Sequence, residues 1–151
     1  MTIGNQVVTF EDDLPKIIVR DRITPDLITD LKGNEIFVFG SNESGRHGLG
    51  AAKTALKWGA IYGQAKGLQG RTYGIPTVNA SISNKLSLTK IEKYVDDFVQ
   101  FAATRPDLIF LVTEIGCGLA GHTVKHIAPL FKGAAQLSNI YLPKKFWREL
   151  D

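Results

Sequence analysis

The chain has 151 residues, of which 44% are hydrophobic and 22% charged, a composition that excludes a disordered or fibrous chain and is typical of one globular domain. The single cysteine, Cys117, excludes an internal disulfide and fits a reducing compartment. The formal net charge of +3 is small and its Lys and Arg residues are dispersed, so nucleic acid is an unlikely partner.

The sequence also carries no sign of export or membrane insertion. The N-terminus has no basic region followed by an apolar run, as a signal peptide requires. No apolar stretch is long enough to span a bilayer. We therefore expect a cytoplasmic protein without membrane contact, folded as a single domain over residues 1–151.

The N-terminal segment is predicted to hold short elements. Residues 6–10 and 16–20 carry β-branched side chains and predict two short strands. Thr24 and Pro25 resemble a helix start, because Thr is a favoured N-cap and Pro a favoured first helical residue. We expect two strands followed by a helix that begins at Thr24.

The next segment joins a buried strand to a glycine-rich loop and a helix. A turn at Gly33-Asn34 precedes EIFVFGS, residues 35–41, whose nearly continuous apolar run is typical of a strand buried on both faces. The loop GSNESGRHGLG follows at 40–50, and residues 51–58 have high helix propensity. The glycines between 59 and 70 predict a further loop.

The middle of the chain predicts a short strand and the clearest helix. YGIPT, residues 73–77, reads as a strand that Pro76 ends, and residues 78–84 are polar and irregular. An amphipathic helix follows, with Ser87 as its N-cap and an end at Arg105-Pro106. Its apolar stripe at helical spacing comprises Ile91, Tyr94, Val95, Phe98 and Ala102.

The last third repeats the order of strand, glycine-rich loop and helix. LIFLVTEI, residues 108–115, is the most hydrophobic predicted strand, and GCGLAG stands directly after it at 116–121. Residues 122–137 predict a helix that Pro129 bends or splits.

A strand at 139–142 and a short helix at 144–150 are predicted to follow. Because buried strands alternate with helices along the chain, the expected fold class is α/β, with a mainly parallel or mixed sheet covered on both faces.

Both glycine-rich loops leave the carboxyl ends of buried strands, where open α/β sheets bind their ligands. Glycine lets the backbone turn sharply and approach a ligand without a Cβ in the way. Backbone N–H groups can then point at phosphate oxygens, and the following helix adds its own free N–H groups and dipole. The sequence therefore predicts a nucleotide-type ligand held by its phosphates; tight turns without a ligand are the alternative.

Two familiar nucleotide motifs do not explain these loops. GCGLAG matches G-x-G-x-x-G between a strand and a helix, but residues 136–144 contain no Asp or Glu to bind the ribose of NAD. Lys53-Thr54 resembles the end of a P-loop, but Ala52 stands where that motif requires Gly.

Four motifs together resemble the macro domain family, and in particular the divergent macro-domain-like proteins of bacteria and their phages. They are FGSN at 39–42, GRHG at 45–48, YGIPT at 73–77 and IGCGLAG at 115–121. The resemblance covers about residues 35–143. It implies a three-layer α/β/α sandwich with a mixed, mainly parallel central sheet that binds ADP-ribose or a related nucleotide derivative. Many members remove ADP-ribose from proteins or hydrolyse related derivatives, and others only bind.

The resemblance also implies which residues contact the ligand. Asn42 matches an asparagine near the distal ribose, residues 48–51 match the loop around that ribose and its phosphate, and residues 116–122 match the diphosphate loop. The expected ligand contacts are Gly40, Ser41, Asn42, Gly45, Arg46, Gly48, Leu49, Gly50, Ala51, Thr77, Gly116, Cys117, Gly118, Leu119, Ala120, Gly121 and His122.

The chain departs from the family where hydrolytic members carry their catalytic Asp. Residues 50–52 at that helix start are Gly-Ala-Ala, and the asparagine-rich segment before them is shortened to GSN. The remaining candidates for catalysis are His47 for proton transfer, Lys53 for an anion and Glu114 as a general base. The alternatives are an exposed loop histidine, a solvated lysine and an ion-paired carboxylate.

Arg46 and Cys117 complete the candidate residues. The planar guanidinium of Arg46 suits a phosphate group. Nearby N–H groups could lower the pKa of Cys117, although a small residue that fits a tight loop is the favoured interpretation. The histidines and the cysteine show no zinc spacing, so neither a metal nor a cofactor is expected.

Two functions remain open on this sequence. One is the binding of an ADP-ribose-like molecule or ADP-ribosylated substrate, with or without hydrolysis of an ADP-ribosyl or phosphate linkage. The other is a non-catalytic module that contacts nucleic acid or protein through its mildly basic surface.

Overall fold

The computed structural model describes residues 21–118 and 120–151. Its elements in chain order are β1 (Ile23–Thr24), β2 (Glu35–Asn42), α1 (Gly50–Ala55), β3 (Gly67–Gln69), β4 (Thr72–Val78), α2 (Leu88–Ala103), β5 (Ile109–Val112), α3 (Val124–Ile127), β6 (Ile140–Pro143) and α4 (Lys144–Leu150). Short 3-10 segments occupy Leu56–Trp58, Ala128–Phe131 and Ala134–Gln136. The strands predicted at 6–10 and 16–20 and the ligand contact predicted at Leu119 lie outside the described residues.

Within the described residues, six strands form one sheet in the order β1-β6-β5-β2-β4-β3. Neighbouring strands run parallel except for the antiparallel pair β3–β4. Strand β2 lies at the centre, and its Val38 is in register with Tyr73 of β4 on one side and Val112 of β5 on the other. The predicted three-layer α/β/α sandwich with a mixed, mainly parallel sheet is confirmed.

Side chains of β2 alternate between two hydrophobic clusters because successive residues of a strand point to opposite faces. Ile36 and Val38 pack into a cluster with α2, α3 and α4. Phe37 and Phe39 pack on the other face with two buried alanines of α1. Helical layers of unequal size therefore cover the two faces of the sheet.

Helix α2 forms as its sequence predicts. The Ser87 hydroxyl accepts a hydrogen bond from the Lys90 N–H at 3.2 Å, as an N-cap does. Four members of the predicted stripe, Ile91, Val95, Phe98 and Ala102, are buried. The fifth, Tyr94, is half-buried, because its hydroxyl reaches out to a carboxylate.

The helix predicted to begin at Thr24 is absent from the structure. Thr24 instead ends β1, where it pairs in parallel with Pro143 of β6. A helix N-cap and a strand residue before proline look alike in the sequence, because both adopt extended backbone. Thr24 is a strand residue because it pairs with β6, near the other end of the chain.

Three other predictions differ from the structure. The loop predicted over 59–70 contains β3, since residues 67–69 pair with β4. The helix predicted over 122–137 is α3 followed by two 3-10 segments, the first of which contains Pro129. Strand 108–115 is also shorter than predicted, ending at Val112, so Glu114 lies beyond it.

The core predicts a stability test at Phe98. Its ring is fully buried and lies 5.0 Å from the Tyr73 ring and 5.5 Å from the Phe110 ring, measured between centroids. Phe98→Ala should lower the free energy of unfolding by about 3–5 kcal/mol in urea titration, because it leaves a large cavity. Leu27→Ala, at a side chain 80% exposed, should change it by less than about 0.5 kcal/mol. Equal stability of the two variants would contradict the described core.

Candidate functional site

A cleft of about 590 Å³ opens at the carboxyl ends of β2, β4 and β5. Its walls come from a first loop (residues 43–49) with the start of α1, and a second loop (residues 113–118 and 120–123) after β5. This volume lies in the range typical of small-molecule sites. The cleft sits where parallel sheets of this class bind ligands.

Most of the predicted ligand contacts line this cleft. They are Gly40, Ser41, Asn42, Arg46, Gly48, Leu49, Gly50, Ala51, Thr77, Gly116, Gly118 and Ala120. The predicted contacts outside the lining are Gly45, Cys117, Gly121 and His122. Lining residues that the sequence did not suggest are Ala52, Tyr62, Val78, Ile82, Thr113 and Ile115.

The side chain of Asn42 closes the first loop. Its Nδ2 donates to the Arg46 carbonyl at 2.8 Å, and its Oδ1 accepts from the Arg46 N–H at 2.9 Å and from the Ser44 hydroxyl at 2.8 Å. Most of this amide's hydrogen-bonding capacity therefore holds the loop. The Arg46 backbone is fixed while its side chain is exposed at the cleft, as a phosphate contact requires.

Gly45 joins the first loop to the segment that precedes β3. Its φ is +70°, and a Cβ there would lie 2.5 Å from the Gly63 carbonyl carbon, so only glycine fits. The Gly63 N–H donates to the Gly45 carbonyl at 2.8 Å, and the Ser41 hydroxyl donates to the Ala65 carbonyl. Gly45 thus shapes the loop without lining the cleft.

His47 is a buried structural residue. The residue is 1% exposed, and its ring packs edge-on against Phe39 at 5.2 Å. Its Nε2 lies 3.1 Å from Oε1 of Gln69, which also accepts from the Ile61 N–H at 2.7 Å. Since that oxygen only accepts, His47 Nε2 carries the proton. The buried Nδ1 has no hydrogen-bond partner among the described residues.

Helix α1 presents backbone rather than side chains to the cleft. Its first residues are small, and no side chain among the described residues caps it. The first N–H groups of an α-helix have no acceptor within the helix. Gly48, Gly50 and Ala51 line the cleft, so they offer backbone groups with little steric bulk, and Leu49 between them adds one apolar side chain.

The second loop is folded by its own backbone. Gly116 has a φ of +77°, and a Cβ there would lie 3.0 Å from Ile127 Cδ1. The Gly121 N–H donates to the Gly118 carbonyl at 3.0 Å, and the His122 N–H donates to the Gly116 carbonyl at 2.8 Å. Gly118 keeps open space around it, because a Cβ there would meet nothing within 4 Å.

His122 anchors the second loop to the segment before α2. Its Nε2 lies 2.8 Å from the Leu86 carbonyl. A carbonyl only accepts, so Nε2 is the protonated nitrogen of the ring. His122 therefore positions the loop from behind the cleft wall.

Of the three candidate catalytic side chains, Glu114 alone lines the cleft. Its side chain is 43% exposed and forms an ion pair with Lys145 Nζ at 3.8 Å. The sequence offered two interpretations of Glu114: a carboxylate at the pocket mouth, or one paired with a basic group. The structure shows Glu114 in both situations at once. Lys53 is exposed on α1 and lies outside the cleft lining. The His47 side chain is buried beneath the backbone of the first loop, and it also lies outside the lining. Their catalytic roles stay predictions.

A second hollow of about 360 Å³ adjoins the cleft on the side of β1 and β6. The two share Ala51, Thr113 and Glu114. The hollow is also lined by Phe37 and by the buried Thr24, whose hydroxyl oxygen has no hydrogen-bond partner in the part of the chain that the structure describes. A long ligand could extend from one compartment into the other.

A charged group ties the first loop to α2. Glu43 Oε2 accepts from the Tyr94 hydroxyl at 2.7 Å and lies 2.9 Å from Lys90 Nζ. The Tyr94 hydrogen bond, and then Lys90, lower the pKa of Glu43. Burial, and then Glu43, raise the pKa of Tyr94 to about 12. The loop carboxylate is thus held ionised against two donors of the helix.

No three His, Cys, Asp or Glu side chains gather around a possible metal position in the part of the chain that the structure describes. No helix in that part combines the length and apolar character needed to cross a membrane.

Comparison of the chain with protein-family models, with curated proteins and with solved structures gives no match. The case for a function therefore depends on the cleft and its residues.

Neighbouring residues of the first loop provide a matched test of these roles. His47→Ala should lower the free energy of unfolding by roughly 2–4 kcal/mol in urea titration, because it empties a buried site and removes one of the hydrogen bonds of the buried Gln69 side chain. Arg46→Ala, at an exposed side chain, should change stability by less than about 0.5 kcal/mol. A His47→Ala protein with the same free energy of unfolding as the wild type would contradict the structural role.

Cys117 should be an unreactive thiol. Burial, and then the charge of Glu114, raise its pKa to about 11; the suggestion that loop N–H groups lower it is therefore wrong. At pH 8, alkylation by iodoacetamide should be roughly a hundredfold slower than for free cysteine, because the thiolate is the reactive form. Mass spectrometry measures the rate, and urea-unfolded protein is the control. Equal alkylation rates for folded and unfolded protein would contradict the raised pKa of Cys117.

Proposed function

We propose that the cleft binds ADP-ribose or a related nucleotide derivative, with the phosphates between the first and second loops. The observation that carries this proposal is the convergence of two glycine-rich segments, residues 40–51 and 113–120, on one cleft. They are far apart in sequence and follow adjacent parallel strands, β2 and β5. Loops that follow adjacent parallel strands meet at one edge of the sheet, and the ligand-sized space between these two loops supports a binding site there.

The chemistry of the walls suits a phosphate-containing ligand. Gly48, Gly50 and Ala51 on one side, and Gly116 and Gly118 on the other, let oxygen atoms approach the backbone closely. Arg46 supplies an exposed cation at the cleft. The second hollow gives a nucleotide's remaining parts room beyond the phosphates.

Binding is the primary function that we propose. Hydrolysis would need a group that activates water, and Glu114 is the candidate that stands at the cleft. His47 has its Nε2 proton engaged by Gln69, and Lys53 lies outside the lining. If an ADP-ribosyl or phosphate linkage is cleaved, we propose Glu114 as the proton acceptor.

A pair of glycine substitutions tests the binding site by thermal shift. ADP-ribose at a hundred times its dissociation constant should raise the melting temperature of the wild type by roughly 5–10 °C. Gly118→Glu should abolish this shift, because it places a negative side chain in the cleft where a Cβ meets no atom within 4 Å.

Gly133→Glu is the matched control for this experiment. It makes the same substitution at another glycine with open space around it, outside the cleft lining. The control should keep the full shift. If the wild type shows no shift with ADP-ribose, or if both variants lose it alike, the proposed site is wrong.

A further inference from the structure

The two ends of the cleft differ, because the strand order places different groups beside each end. The second hollow lies toward β1 and β6 at one end of the row of strands. Tyr62 belongs to the segment that leads into β3, the strand at the opposite end of that row. The two glycine-rich segments lie between these ends. A ligand with phosphates at its centre would therefore extend toward both.

Tyr62 is an exposed aromatic ring with a rigid support. Its side chain lines the cleft although the residue is 64% exposed. The ring meets the buried His47 ring edge-on, with centroids 6.3 Å apart, and His47 rests in turn on Phe39. The Gln69 side chain holds the backbone next to Tyr62 by accepting from the Ile61 N–H. The ring thus has a buried aromatic support on one side, and the backbone beside it is fixed.

Ile82 reaches the same cleft at a cost in backbone strain. Its φ is +57°, a conformation that β-branched residues rarely adopt. The turn that holds it is closed by Asn79, whose carbonyl accepts from the Ile82 N–H at 3.0 Å and whose Oδ1 accepts from the Ser83 N–H at 2.9 Å. Strain of this kind points to a functional site. Leu49, which is 69% exposed, adds a third apolar side chain to the lining.

We propose that the Tyr62 ring, with Leu49 and Ile82 elsewhere in the same lining, is a platform for a flat aromatic ring, and that the ligand is therefore a dinucleotide of the NAD class rather than ADP-ribose itself. This inference rests on the proposed function of the cleft. In this proposal the adenine occupies the second hollow, so ADP-ribose would bring only its terminal sugar to these side chains, and a sugar gains little from exposed apolar groups. A nicotinamide ring is flat, and in NAD⁺ it is cationic, so a tyrosine face attracts it by stacking and by its π-electrons.

Calorimetric titration with NAD⁺ and with ADP-ribose tests the platform. The wild type should bind NAD⁺ about tenfold more tightly than ADP-ribose, a difference that base stacking on one aromatic ring can supply. Tyr62→Ala should weaken NAD⁺ binding about tenfold and leave ADP-ribose within about twofold. Tyr62→Phe should keep the preference for NAD⁺, because it keeps the ring.

Ile82→Gly separates a binding role from a structural one. Glycine relieves the strain at a positive φ, so this variant should melt at a higher temperature than the wild type. It should also bind NAD⁺ several-fold more weakly, because the apolar side chain is lost. Leu56→Ala is the control, as Leu56 is 40% exposed but lies outside the cleft lining. It should leave both affinities unchanged.

Each contrary result has a separate meaning. A wild type that binds ADP-ribose as tightly as NAD⁺ overturns the platform and leaves the proposed function intact. Equal weakening of both ligands by Tyr62→Ala would place the adenine ring on Tyr62 and overturn the assignment of a second ring. Failure of the wild type to bind either ligand overturns the proposed function, and the platform with it.

Discussion

Strand β2 is the constraint on which the rest of the structure depends. It is hydrogen-bonded to β4 on one side and β5 on the other, and its side chains from Ile36 to Phe39 are buried on both faces. A strand so enclosed must end at a fixed place in the sheet. The first loop therefore begins beside the ends of β4 and β5, and the second loop meets it there. The cleft follows from this arrangement rather than from any single side chain.

The polar contacts of the buried Gln69 give the cleft its second support. Its Oε1 accepts from the Ile61 N–H and from His47 Nε2. Its Nε2 donates to the Gln64 carbonyl at 3.2 Å. One amide thus fixes the segment before β3 and the histidine beneath the first loop. Because both are fixed, Arg46 and Tyr62 reach the cleft from an ordered base, which lowers the entropic cost of binding.

The sequence was sufficient for features that are local. Apolar runs located β2 and β5, the helical stripe and Ser87 located α2, and glycine clusters at strand ends located both walls of the cleft. Features set by distant contacts were missed. β3 forms because residues 67–69 meet β4, and Thr24 is a strand end because it meets β6. Tyr62 and Ile82 had no local signal for a site, since their place in the cleft depends on packing between segments. The glycine-rich sequence around His47 did not predict that its ring is buried.

The central claim is that the two glycine-rich loops bind one nucleotide together. Amide NMR titration of the full chain with ADP-ribose tests it most directly. We expect the largest chemical-shift changes at the N–H groups of residues 48–52 and 116–118. These changes should saturate with one common dissociation constant. Residues such as Glu92 and Lys93 on the exposed face of α2 should stay unchanged. Changes confined to one loop, or centred on that helix face, would contradict the claim.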